Sequence, residues 1–110
     1  MNKEKIKPRD REELIEIINR EVNEHGYGVD LNHIDTSEIT NMSILFMGSW
    51  FNGDISRWDT SKVRSMAGMF MNSRFNGDIG SWNTSGVKDM SSMFQGSKFN
   101  RNIGSWNVGK

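Results

Sequence analysis

The sequence predicts a repeat solenoid, mainly short parallel β-strands with helical or 3₁₀ turns, capped by one N-terminal α-helix. Three observations predict it. Tryptophans at 58, 82 and 106 and phenylalanines at 46, 70 and 94 recur every 24 residues without insertion. A unit of that length is too short for two helices and suits a coil made of a short strand and a tight return. Ahead of the array, residues 10–25 form a separate segment with helical periodicity.

The helix comes first in the chain. Leu14, Ile15, Ile18 and Val22 share one face, Ile17 widens it, and Glu12, Glu16, Arg20 and Glu24 lie opposite. Asp10 followed by Glu13 reads as a capping box, and Gly26 stands where a helix ends in a glycine. An array exposes its first coil edge-on, so this helix is expected to cover it. The division is therefore residues 1–26 as capping helix and 27–110 as array, together one folding unit.

The array opens with a degenerate half-unit, since Tyr27-Gly28-Val29-Asp30-Leu31-Asn32-His33-Ile34 aligns with residues 51–58. Full units follow at 35–58, 59–82 and 83–106, and a fourth starts at Asn107. Adjacent units share 13 of 24 residues, and nine positions are identical in all three, which makes the repeat unmistakable. Seven apolar columns recur. Stacked about 4.8 Å apart, they give ladders such as Met42/Met66/Met90, Phe46/Phe70/Phe94, Phe51/Phe75/Phe99 and Ile55/Ile79/Ile103. The spacing Val63-x-x-Met66-x-x-Met69-Phe70 predicts a helical or 3₁₀ turn near 65–71, and alternation from Phe75 to Ile79 predicts a strand.

Composition narrows the function. Fourteen basic and fourteen acidic residues cancel in a chain of 110, so no global field recruits nucleic acid or an anionic membrane. The polar face of the helix carries more acid than base, which argues against membrane insertion. The chain shows no signal peptide or lipobox and no long apolar run. Without cysteine there is no disulfide, thiolate nucleophile or cysteine zinc site. His25, His33 and repeated serines fit no triad or metal spacing, so no enzyme, cofactor or resident metal is expected. Asn52/Asn76/Asn100 and the Asp-Thr-Ser corners at 35–37 and 59–61 are expected to cap turns. Calcium between coils is disfavoured, because the acidic column decays from Asp54 and Asp78 to Asn102 and the glycine-rich nonapeptide of calcium β-rolls is absent.

The runs Leu31-Asn32-His33-Ile34-Asp35-Thr36-Ser37, Phe51-Asn52-Gly53-Asp54-Ile55-Ser56-Arg57-Trp58-Asp59-Thr60-Ser61-Lys62-Val63 and Ser91-Ser92-Met93-Phe94 resemble the BspA-like leucine-rich-repeat surface proteins of bacteria. The resemblance covers residues 10–110. It implies a leucine-rich-repeat-like solenoid with Met, Phe and Trp in place of Leu, a place on the bacterial cell surface, and adhesion or recognition without a catalytic residue.

Exposed columns that vary are the candidates for binding. One reads Trp50, Arg74, Lys98 and another Thr40, Arg64, Lys88. An exposed tryptophan beside basic neighbours is the residue type that anchors interfaces. Trp50, Arg64, Arg74, Lys88 and Lys98 are thus the expected contact surface for a protein or glycan. The alternative is a structural, self-assembling repeat. With the fourth unit barely begun, Phe99, Ile103 and Trp106 are expected to form an uncovered C-terminal edge through which two chains pair.

Overall fold

The computed structural model describes residues 4–106, and its one regular element is helix α1, Arg11–His25. Both ends are set as the sequence predicts. The Asp10 carboxylate accepts the Glu13 N–H at 3.0 Å, and the Gly26 N–H donates to the Val22 carbonyl at 2.8 Å. Glu13 turns back one residue further than a capping box requires, accepting the Arg9 N–H at 2.7 Å and the Arg9 guanidinium at 2.8 Å. Leu14, Ile17, Ile18 and Glu21 are the buried face, so the helix is rolled slightly from the predicted stripe. The Arg11 guanidinium fastens α1 to the first unit through the Ser43 carbonyl at 3.0 Å. Before the helix, Ile6 pairs with Ile34, donating to the His33 carbonyl and accepting from the Asp35 N–H.

The expected leucine-rich-repeat-like solenoid of parallel strands is not there. Among the described residues no strand and no sheet forms, and α1 is joined only by turns and three isolated bridges, Ile6 to Ile34, Asn41 to Ser65 and Ser65 to Asp89. The destination of the backbone N–H groups explains it. In the first unit the N–H groups of Met42, Ile44, Phe46 and Gly48 donate to Ser65, Ala67, Met69 and Met71 of the next, while those of Leu45, Met47 and Ser49 turn back to the carbonyls of Met42, Ile44 and Phe46. The second unit repeats this against the third. Every other donor is spent inside its own unit, so no continuous ladder can form.

The same alternation replaces the expected helical turn at 65–71, which becomes a hydrogen-bonded turn over 67–72 in which i→i+3 bonds never run consecutively enough for a 3₁₀ helix. It also needs left-handed residues. Ile44, Gly68 and Ser92 form one positive-φ column, at 49°, 61° and 57°, and Gly48, Asn72 and Gly96 form another, at 67°, 56° and 68°. The predicted strand at Phe75–Ile79 is likewise missing, because side chains take its donors: Ser73 Oγ accepts the Phe75 N–H at 3.0 Å and Asn52 Oδ1 the Asn76 N–H at 2.8 Å.

Units nonetheless meet in register. Phe46, Phe70 and Phe94 stack at 5.7 Å between neighbouring centroids, and Trp58, Trp82 and Trp106 at 6.3 and 6.4 Å, with planes within a few degrees of parallel. Offset stacking of this kind adds to plain apolar burial. Each buried indole N–H donates to a carbonyl of the unit before, from Trp58 to Leu31, Trp82 to Ile55 and Trp106 to Ile79, at 2.9–3.0 Å. The described body measures 41 × 26 × 23 Å, with α1 packed by Leu14, Ile17 and Ile18 into the same core as the rings.

The corners behave as caps. Asp35, Asp54, Asp59, Asn83 and Asp89 each accept the N–H of the serine two residues on, at 2.9–3.1 Å. The asparagine column instead links units, as Asn52 bonds the Asn76 N–H and Asn76 the Asn100 N–H. Hydrogen bonds from the hydroxyl and N–H of Ser37 and Ser61 hold Asp35 and Asp59 below the ordinary carboxylate range; those from Ser56 and Ser91 do the same for Asp54 and Asp89. A carboxylate depressed in the folded state stabilises the protein above its unfolded value of about 3.9, and that contribution is lost as pH falls through the folded value. Asp59→Asn keeps the acceptor, as Asn83 does one unit later, but removes the titration. Its urea-unfolding stability is therefore expected to fall less steeply below about pH 4 than the wild type's. An unchanged acid slope would show that the Asp59–Ser61 bond has no net effect on folding.

Candidate functional site

The two basic columns are exposed rows held in register by backbone bonds. The Arg64 N–H donates to Thr40 and Lys88 to Arg64, each at 2.7 Å, while Arg74 donates to Ser49 at 3.0 Å and Lys98 to Ser73 at 3.1 Å. Among the described residues none of the four bases has an ion-pair partner, and no hydrogen bond joins one row to the other. The nearest organised feature is at Trp50. Trp50 is 59% exposed, the Arg74 guanidinium carbon sits 4.1 Å from its ring centroid, and the Tyr27 ring, on a residue 54% exposed, lies 6.5 Å away. A guanidinium on an indole is a cation–π pair that leaves its N–H edge outward.

Trp50 and Tyr27 line an open groove of about 560 Å³ between α1 and the turn of the first unit, with Asn19 and Asn23 on the helix wall and Met47 and Ser49 opposite. Ile18 and Val22 reach its floor. Ile44 and Met47, 46% and 45% exposed, extend the apolar surface along the same turn. Ile44 is held at φ 49°, a left-handed conformation that costs a β-branched residue about 1–2 kcal/mol. Its equivalents Gly68 and Ser92 are residues that tolerate the conformation or carry no apolar surface there.

Sequence reasoning found Trp50 and Arg74 but missed Tyr27, Ile44, Met47 and the two asparagines. Alignment put Tyr27 in the buried Phe51/Phe75/Phe99 column, whereas it stands exposed against Trp50. A signal was present in the columns Ile44/Gly68/Ser92, Met47/Met71/Gln95 and Trp50/Arg74/Lys98, each of which runs from apolar to polar along the chain. Those three columns supply Ile44, Met47 and Trp50, and with Tyr27 all four large exposed apolar side chains among the described residues fall within 27–50.

The residues expected at a self-association edge are placed differently from one another. Trp106 is buried, its indole bonded to Ile79, and belongs to the core ladder. Phe99 and Ile103 are half-buried, as is Phe94, where their counterparts one unit earlier, Phe75, Ile79 and Phe70, are fully covered. The expected start of a fourth unit at 107–110 lies outside the described residues.

Two further clusters complete the polar surface. The His33 imidazole lies 3.6 Å from the Glu21 carboxylate, both nearly buried, beside a cavity also lined by Glu4, Ile6 and His25. Asp54 and Asp78 share a shallow hollow with Asn52 and Ser56, but each carboxylate already accepts a backbone N–H, from Ser56 and Gly80. Among the described residues no three His, Cys, Asp or Glu side chains are grouped to hold a metal ion, and no helix is long and apolar enough to cross a membrane.

Stacked 24-residue units packed in register behind one helix describe a repeat protein. The chain belongs to the family described as Mycoplasma protein of unknown function, DUF285, which it matches over residues 18–110. That family is a relative of the BspA-like repeats. No similar protein is found among the curated proteins, and none among the solved structures.

Proposed function

We propose that the chain is a non-enzymatic interaction or adhesion module, of the kind the BspA-like bacterial surface proteins represent, and that it binds a macromolecular partner on the face centred on Trp50. One observation carries the reading: of the four large exposed apolar side chains described, Tyr27, Met47 and Trp50 line one groove, Ile44 stands on the same turn, and Arg74, without an acidic partner, stacks on Trp50. Clustered exposed apolar surface rimmed by polar groups is characteristic of contact sites, and tryptophan, tyrosine and arginine are the residues enriched at their energetic centres. Strain held at Ile44 supports it, since the left-handed turn there is met by glycine and serine in the next two units and does not require an exposed isoleucine.

The test is attachment of protein-coated beads to cultured animal-cell monolayers. Wild-type beads are expected to adhere, and Trp50→Ala with Arg74→Ala is expected to reduce adhesion by on the order of tenfold. Both residues are exposed, so thermal stability should be almost unchanged. Equal adhesion by wild type and variant would overturn the proposal.

A further inference from the structure

The groove beside Trp50 has a polarity pattern that identifies its occupant more closely. On one wall, Asn19 and Asn23 stand one helical turn apart on α1, both exposed and both facing the groove, and neither carboxamide has a partner among the described residues. A carboxamide offers one acceptor and a two-proton donor, the complement of a peptide unit's N–H and C=O. Four residues of helix rise about 6 Å. Along an extended chain, the N–H and C=O groups that face one side recur every second residue, about 6.6–6.8 Å apart. The two asparagines therefore match the repeat of an extended peptide backbone, and the remaining difference is within the reach of two rotatable side chains.

The other wall reads side chains. Tyr27, Met47 and Trp50 offer an apolar seat. Arg74 stands just outside the groove's lining, stacked on the Trp50 ring, with its guanidinium edge free for a carboxylate, which it can bind through two parallel hydrogen bonds. Lys98 continues the row, and no acidic residue occupies positions 43–50, 67–74 or 91–98, the turns that form this flank. A groove with peptide-matching amides on one side and, on the other, an aromatic seat bordered by an arginine that has no acidic partner is complementary to an acidic, apolar-anchored strand of protein.

We infer that the groove between α1 and the first unit holds an extended peptide segment of a partner protein, its backbone bonded by Asn19 and Asn23, an apolar side chain seated on Tyr27 and Trp50, and an acidic side chain at Arg74. This rests on the contact face proposed above and specifies what that face takes.

The experiment pans a random displayed peptide library on the full chain, then measures the enriched synthetic peptides by fluorescence anisotropy, with a glycan array probed in parallel. Expected is a consensus in which an acidic residue stands close to an aromatic or large aliphatic one. Affinity for those peptides should fall roughly tenfold in Asn19→Ala with Asn23→Ala, which removes the backbone bonds from two exposed positions. Panning on Arg74→Glu should exchange the acidic residue of the consensus for a basic one. A consensus unaltered by Arg74→Glu, or peptides that bind the double asparagine variant as tightly as wild type, would overturn the inference. A Trp50-dependent glycan signal with no peptide consensus would overturn it too while leaving the contact face standing, and no Trp50-dependent ligand of either kind would remove both.

Discussion

Phe70→Ala is expected to lower the stability of the folded chain by ~3–5 kcal/mol, the usual cost of emptying a fully packed aromatic site. Phe70 is 0% exposed and stands where two kinds of stacking cross. Along the repeat it lies 5.7 Å from both Phe46 and Phe94, and within its own unit it lies 4.7 Å from Phe75 and 6.5 Å from Trp82. Neighbouring rings on four sides cannot all collapse into the space, because Phe75 and Trp82 are fixed in ladders of their own and Phe46 and Phe94 are stacked on Phe51 and Phe99. A single domain commonly has only about 5–15 kcal/mol of net stability. The substitution should therefore lower Tm by on the order of 15 °C, read by differential scanning calorimetry. A shift of only a few degrees would mean that the central ladder repacks freely and that register between units matters little to the fold.

What could be read beforehand was whatever the period states directly. The apolar columns Met66, Phe70, Phe75, Ile79 and Trp82 are all buried, and the helix begins and ends at the residues whose chemistry marks its ends, Asp10 and Gly26. The strands were misread for a physical reason. Repetition shows that units stack, but not whether their backbones pair continuously or through every second donor. Here Ser73 and Asn52 side chains take N–H groups that a ladder would use, and the turn at 67–72 sends alternate donors back into its own unit. The positive-φ columns hinted at this through Gly48, Gly68, Asn72 and Gly96, yet Ile44 and Ser92 in the same columns concealed it.

The proposed contact face was half legible for a related reason. Trp50 and Arg74 stand out as a variable column, and their stacking at 4.1 Å follows from the register of adjacent units. Asn19 and Asn23 do not stand out, because two polar residues on the outer side of an amphipathic helix look like ordinary solvated surface. Only the roll of α1, which buries Leu14, Ile17, Ile18 and Glu21, turns those asparagines toward the first unit and opens the groove between them.

That roll makes the helix part of the core rather than an attachment to it, and Leu14→Asp tests the point. Leu14 is 0% exposed and shares one apolar cluster with the rings of the units. A carboxylate there would meet no free arginine from the start of α1, since Arg9 is engaged with Glu13 and Arg11 with the Ser43 carbonyl. Burying the charge, or the protonated acid without a partner, is expected to cost about 4 kcal/mol or more. Because the first unit is held on one side by α1 and on the other by the second unit, loss of the helix should propagate. The helical far-UV signal and the near-UV signal of the stacked tryptophans are expected to disappear together along one denaturant curve, at a much lower midpoint than wild type. If instead the helical signal vanished while the near-UV signal of Trp58, Trp82 and Trp106 stayed, the stacked units would be shown to stand without α1. The groove that α1 forms with Trp50 would then be a feature laid on a body already complete.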